Sequence, residues 1–298
     1  MGDSKFKMHE LAAHTAYVST QTQAQIFRNT TGTAPALDPS KFKVRESVDS
    51  PSNPNSTPII IAVDETGSMD ILAENIIRQD LAVVVKGLYD NKPVTDPHIL
   101  LAVVGDARCD TSAIQTTQFE ASIVLMEQAK DFYLEQNGGG NGGESYALVW
   151  AFAANKVKAD CITKRHKKGY IFTVGDERTH MVITREECRT FLGMTTETDI
   201  QVKDLLEQVK QHWNVFHLIV RTASTHSQHA EKAWKELLGD HAVLLETHSN
   251  IGEMITALIQ LNEGGSVDDV AKNWDPIAAA NVQKALSGMH GNGRKLEV

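Results

Sequence analysis

Cysteine is scarce: three residues in 298, Cys109, Cys161 and Cys188, lie far apart and form no C-x-x-C pair. That excludes a disulfide-stapled scaffold and fits a reducing compartment. Long apolar runs are missing too. No stretch approaches the ~18 apolar residues of a membrane-spanning helix, and the opening MGDSKFKMHELAAH lacks the apolar centre of a signal peptide. A cytoplasmic protein with no membrane partner is expected. Positive charge is in deficit, with 29 Lys and Arg against 38 Asp and Glu and a net charge of -9. Nucleic acid is therefore not an expected partner. The one basic run, Lys164 to Lys168, precedes an apolar stretch and reads as a solvated turn.

What is present is an ordinary core composition, 41% hydrophobic, arranged in continuous apolar runs. Pro58 to Val63, His98 to Gly105, Gly169 to Val174, Val215 to Val220 and Ala242 to Leu245 each have strand length. Continuous rather than alternating apolarity implies burial on both faces, as in a parallel sheet covered by helices. Between the runs lie helical spacings: Ile77, Leu81, Val84 and Leu88; Leu125, Ala129 and Phe132; Ala147, Trp150, Ala151 and Ala154. Thr184 with Glu187 makes a capping box. Val202, Leu205, Leu206, Val209 and Trp213 mark a further helix, followed by Ala230 to Leu238 and Asn250 to Leu261. Thr111 to Phe119 reads as a short edge strand.

This alternation predicts an α/β fold with a doubly wound, mostly parallel sheet and helices on both faces. Its ligand crevice is expected beyond the carboxyl ends of the strands. Residues 1–56 read as an irregular N-terminal arm, with a short helix near Met8 to Tyr17, packed on the domain at 57–263. Residues 264–298 read as a C-terminal extension of one or two short helices with a partly flexible, glycine-rich end.

The first strand stops at Asp64, and Thr66, Gly67 and Ser68 follow in a tight turn before a helix. A carboxylate and two hydroxyls presented from a strand end suit a hard cation such as Mg2+. Asp64, Thr66 and Ser68 fit D-x-[ST]-x-S, and in this the chain resembles the von Willebrand factor A family, whose metal ion-dependent adhesion site this triplet opens. Two later loops extend the resemblance over about two thirds of the chain. Gly138, Gly139 and Gly140 precede Asn141 where the family carries a Thr, with Ser145 as the alternative ligand. Tyr170 to Asp176 ends on the Asp of the third loop, and the following ERTH, with His180, resembles the A-P-x-H of bacterial and kinase-linked members.

The resemblance implies that Asp64, Thr66, Ser68, Asn141 and Asp176 hold Mg2+, or Mn2+ or Ca2+, with Asp176 acting through a water. It further implies a non-catalytic protein-binding module of a bacterial or phage intracellular branch. A partner Asp or Glu would complete the coordination, and MoxR-type AAA+ ATPases are among the partners of such relatives. A second reading is self-assembly, a homo-oligomer in which the arm, the segment Val267 to Asp269 or the carboxylate of Val298 enters a neighbour's site. A third, less favoured, is a metal-dependent hydrolase with Glu144 or His180 as base.

Simpler roles exist for the same residues. Asp64, Thr66 and Ser68 can cap the following helix. The glycine loop lacks the lysine of a phosphate-binding P-loop. His226 and His229, without a Cys or carboxylate at zinc-site spacing, read as a solvated helix end. Asp106 and Asp110 read by default as surface carboxylates near the metal edge.

Overall fold

The computed structural model describes residues 4–65, 70–135, 142–222, 226–272 and 274–287. Among the described residues there are ten strands: β1 (Arg45–Ser47), β2 (Thr57–Asp64), β3 (Pro97–Val104), β4 (Ile114–Thr116), β5 (Val157–Ala159), β6 (Gly169–Gly175), β7 (Val182–Ile183), β8 (Ile200–Gln201), β9 (Trp213–Val220) and β10 (Ala242–Leu245). Six form the central sheet in the order β10-β9-β6-β2-β3-β4. All its pairings are parallel except β3 with β4. The fold is therefore the doubly wound α/β class. Two small sheets escape the sequence pattern, β1 with β5 and β7 with β8, because two- and three-residue strands carry no readable period.

Helices flank the sheet: α1 (Met8–Val18), α2 (Gln23–Ile26), α3 (Asp70–Asn75), α4 (Leu81–Asn91), α5 (Val124–Ala129), α6 (Ala147–Lys156), α7 (Asp160–Arg165), α8 (Arg185–Leu192), α9 (Val202–Lys210), α10 (His226–Leu238), α11 (Ile251–Asn262), α12 (Val267–Ala271) and α13 (Pro276–Leu286). Among the described residues no helix is long and apolar enough to cross a membrane. Thr184 caps α8 as its sequence predicts: its hydroxyl accepts from Glu187 N, and the Glu187 carboxylate accepts from Thr184 N. Asp275 caps α13, with Pro276 in the first turn, where its missing N–H costs nothing.

The period of two along each strand divides the core. Ile59, Ile61 and Val63 of β2 pack with α3, α4 and α11 on one face. Ile60 and Ala62 pack with α6, α8, α9 and α10 on the other. Both faces are buried, so β2 is apolar from Pro58 to Val63, and each large side chain contributes about 1.5–3 kcal/mol by leaving water. Phe6, Leu11, Val18, Ile26, Phe27 and Leu37, from the first 56 residues, belong to the α4 and α11 side of this core. Lys156, at the end of α6, donates through Nζ to Phe42 O at 2.6 Å and also to Pro39 O, clamping the preceding segment.

Four sequence expectations need correction. Trp213 opens β9 instead of ending a helix: α9 stops at Lys210, and Trp213 is drawn into the sheet opposite Gly169. The edge strand is only Ile114–Thr116, since β3 offers it three residues of register. The helix after the first loop is interrupted by a π-helical turn, Ile76–Asp80, between α3 and α4. Ile77, within that turn, and Leu81, Val84 and Leu88 after it are all buried, as their spacing predicts. The basic run is more than a solvated turn: Arg165 is ion-paired to Asp49 and Lys164 to Asp160.

The chain runs from β2 outward to β3 and β4, then returns to the other side of β2 as β6 and continues to β9 and β10. The direction of winding therefore reverses between the neighbours β2 and β6. In open α/β sheets such a reversal opens a crevice at the carboxyl ends of the two strands.

Candidate functional site

Two of the sequence-proposed metal ligands flank that crevice. Asp64 is the last residue of β2, and Asp176 follows β6 directly. They are 0% and 4% exposed. Thr66, Ser68 and Asn141, together with Gly138, Gly139 and Gly140, lie outside the described residues, as does the end of the chain at 288–298.

Asp64 is engaged from α6. The hydroxyl of Tyr146, the residue capping that helix, donates to Asp64 Oδ2 at 2.5 Å. Gly175 makes the approach possible: a Cβ there would lie 1.9 Å from the Tyr146 oxygen and 2.8 Å from Asp64 Oδ2. Burial pushes the Tyr146 phenol well above its ordinary pKa, and the charges of Asp64, Glu144 and Asp176 push it further. It is therefore a neutral donor at any physiological pH. The Tyr146 ring meets His217 edge-on at 5.0 Å and Trp234 at 5.7 Å. His217 stacks on Trp234 and shares a 2.7 Å hydrogen bond with Thr173 Oγ1. Full burial drives its pKa far down, so this imidazole is neutral. A dry aromatic floor thus lies beneath the carboxylates.

Asp176 Oδ2 accepts from the Thr222 hydroxyl at 3.1 Å, a contact between the loops after β6 and β9. Glu65, next to Asp64, is also buried; its backbone N–H donates to Val104 O. Burial raises the Glu65 pKa well above normal, and the charges of Asp64, Asp110 and Glu135 add to the rise. Glu65 and Tyr146 were not singled out from sequence. The acid adjoining Asp64 was visible, but its burial follows only from the β3 pairing.

The loops around the crevice are knitted together by backbone bonds. Glu144 N donates to Arg178 O at 2.9 Å and His180 N to Glu144 O at 3.1 Å, while Arg178 Nε reaches Gly142 O at 2.7 Å. Ser145, the alternative second-loop ligand, accepts from Ala107 N at 2.9 Å and donates its own N–H to Gly105 O. Its hydroxyl therefore ties two loops. Asp106, expected at the surface, is 0% exposed and shares a 2.8 Å hydrogen bond with His180 Nε2. The loop after β3 folds inward because Asp110 Oδ2 accepts from Asp106 N at 2.6 Å, and Gly105 leaves room for that carboxylate. His229 lies in the first turn of α10, whose start at His226 is the predicted helix end.

The donor set suits a hard divalent cation. Asp64 and Asp176 are two buried carboxylates at the ends of neighbouring strands, and like charges in such a place repel strongly. A cation held by oxygen ligands relieves that repulsion. Among the described residues no group of three or more His, Cys, Asp and Glu forms a metal cage. A site on Asp64 and Asp176 needs hydroxyl, amide or water oxygens besides.

Comparison with protein-family models gives no match, and neither does comparison with curated proteins. Among solved structures, the pilus adhesin SpaC from Lactobacillus rhamnosus GG in its open conformation aligns with a TM-score of 0.47 at 10% identity, over 77% of this chain and 31% of that one. Another form of the same adhesin gives 0.43 at 11% identity, over 77% and 32%. The chain thus spans about a third of the adhesin's length.

Proposed function

We propose that the chain is a divalent-metal-dependent protein-binding module of the von Willebrand factor A type. The observation that carries this reading is the place of Asp64 and Asp176, two buried carboxylates at the carboxyl ends of β2 and β6, where the winding of the sheet reverses. Mg2+ or Mn2+ would be held by these two with Thr66, Ser68 and Asn141, and supplies a Lewis-acidic coordination position for an incoming oxygen ligand. Tyr146 fixes the rotamer of Asp64, and Thr222 fixes that of Asp176. The aromatic floor keeps water from the underside, which strengthens each charge interaction above it.

A carboxylate side chain of a partner protein is the fitting ligand, being anionic and oxygen-based. MoxR-type AAA+ ATPases are one class of partner consistent with the resemblance. Titration calorimetry of Mn2+ and Mg2+ into chelator-treated protein, beside Asp64→Asn, tests the reading. The substitution retains an acceptor for Tyr146 but removes the charge. Saturable binding that Asp64→Asn loses is the expected result; equal binding by both proteins would overturn it.

A further inference from the structure

A second concave surface lies at the opposite end of the sheet. The amino ends of β2, β6 and β9 border a cleft of about 590 Å³, to which Thr57, Lys168 and Asn214 contribute. This volume lies within the range of small-molecule sites, roughly 300–1,000 Å³. Four cationic side chains, Lys92, Arg165, Lys167 and Lys168, face it against one carboxylate, Glu263. In a chain with a net charge of -9, this is a local reversal of sign.

The charges divide into spent and unspent. Arg165 donates to Asp49 Oδ2 at 2.6 Å and to Ser56 O at 2.7 Å. Glu263 accepts from the Tyr170 hydroxyl, whose oxygen in turn accepts from Asn262 Nδ2 at 3.0 Å. Lys92, Lys167 and Lys168 make no ion pair with any described residue. They come from separate segments: Lys92 from the end of α4, Lys167 and Lys168 from the turn between α7 and β6. Backbone geometry sets both turns. Lys92 has φ 48° and His166 φ 52°, left-handed caps of α4 and α7 where glycine is the usual residue. Non-glycine residues in this region cost energy, and such cost tends to collect at functional positions.

We propose that this cleft binds a small phosphate-bearing molecule. Three ammonium groups on flexible stems act as point charges and converge on a ligand with several equivalent oxygens. The planar guanidinium that would select a flat carboxylate is already held by Asp49. Asn214, Asn262 and Thr57 also line the cleft.

Calorimetric titration of inorganic pyrophosphate into the full chain, without divalent ions, tests the proposal, with citrate as a carboxylate probe. The comparison protein is Lys92→Gln/Lys167→Gln/Lys168→Gln, whose changes are all at exposed positions. Circular dichroism checks that it is folded, and the three single variants are titrated beside it. Saturable pyrophosphate binding, weakened at least roughly tenfold in the triple variant and exceeding that of citrate, is the expected outcome. No saturable binding by the parent protein, an unchanged affinity in the triple variant, or citrate binding as tightly as pyrophosphate would each overturn it.

Discussion

The Tyr146 hydroxyl donates to Asp64 Oδ2 over 2.5 Å, joining the amino end of α6 to the carboxyl end of β2. Helix and strand come from opposite sides of the glycine loop in sequence. Their contact holds the acid of the crevice in one orientation, and it exists only because residue 175 has no Cβ.

Tyr146→Phe removes the donor while keeping the ring on His217 and Trp234. A buried carboxylate then loses a charge-assisted hydrogen bond, so stability to urea should fall by about 1.5–3 kcal/mol. Metal affinity measured by calorimetry should change in parallel, because Asp64 gains rotamer freedom. An unchanged denaturation midpoint would show that the bond contributes nothing net.

Gly175→Ala places a methyl group against both partners of that bond. The expected cost is about 1–3 kcal/mol, the usual range for overpacking, and more if Tyr146 cannot shift. In a Tyr146→Phe background the cost should shrink, because the atom nearest the new methyl is gone. Additive losses in the double variant would contradict this coupling.

His180→Ala leaves Asp106, which has no solvent exposure, without the imidazole 2.8 Å away. Loss of one partner of a buried polar pair should cost about 1–3 kcal/mol by chemical denaturation at neutral pH. His180→Gln, which can still donate, should recover part of that loss.

Asp80 sits in the π-helical turn facing α11, and its pKa is raised from 3.8 to about 7 by burial and then by the charge of Glu253, opposed by the Gly252 N–H. The folded state holds this proton more tightly than the unfolded chain does. Its contribution to stability is therefore complete below the unfolded pKa and is lost as pH rises through about 7. The loss is on the order of 4 kcal/mol across the full window from 3.8 to about 7. Urea unfolding at about pH 5 and pH 8.5 should show Asp80→Asn losing less stability than the parent protein between the two. Parallel pH profiles would rule this out.

Leu11→Ala tests whether the segment before β1 is part of the core. Leu11 is 4% exposed and packs on the same side as α4 and α11. A loss of about 2–5 kcal/mol in a single cooperative transition is expected. A loss near zero would mean that α1 is dispensable to the domain.

The larger strands and helices were legible because each is long enough to display its period. Six consecutive apolar residues, Pro58 to Val63 or Ile99 to Val104, can be satisfied only where both faces are covered. Shorter elements were not. Trp213 fits the helical spacing of Val209 equally well, and only pairing with Gly169 assigns it to β9. β1 and β5 hold three residues each, with paired residues such as Arg45 and Val157 more than a hundred positions apart, and nothing local announces their meeting.

For the site, the apolar runs alone show which acids end the strands: Asp64 stops β2 and Asp176 follows β6, each the first carboxylate after a buried run. That those two strands are neighbours across the reversal of winding follows from the strand order, which sequence patterns do not carry. Tertiary packing also buried Glu65 and Asp106, brought Tyr146 from 82 positions away onto Asp64, and left three lysines facing a cleft at the far end. Strand order and side-chain burial depend on contacts between residues distant in the chain, and no single local pattern encodes them.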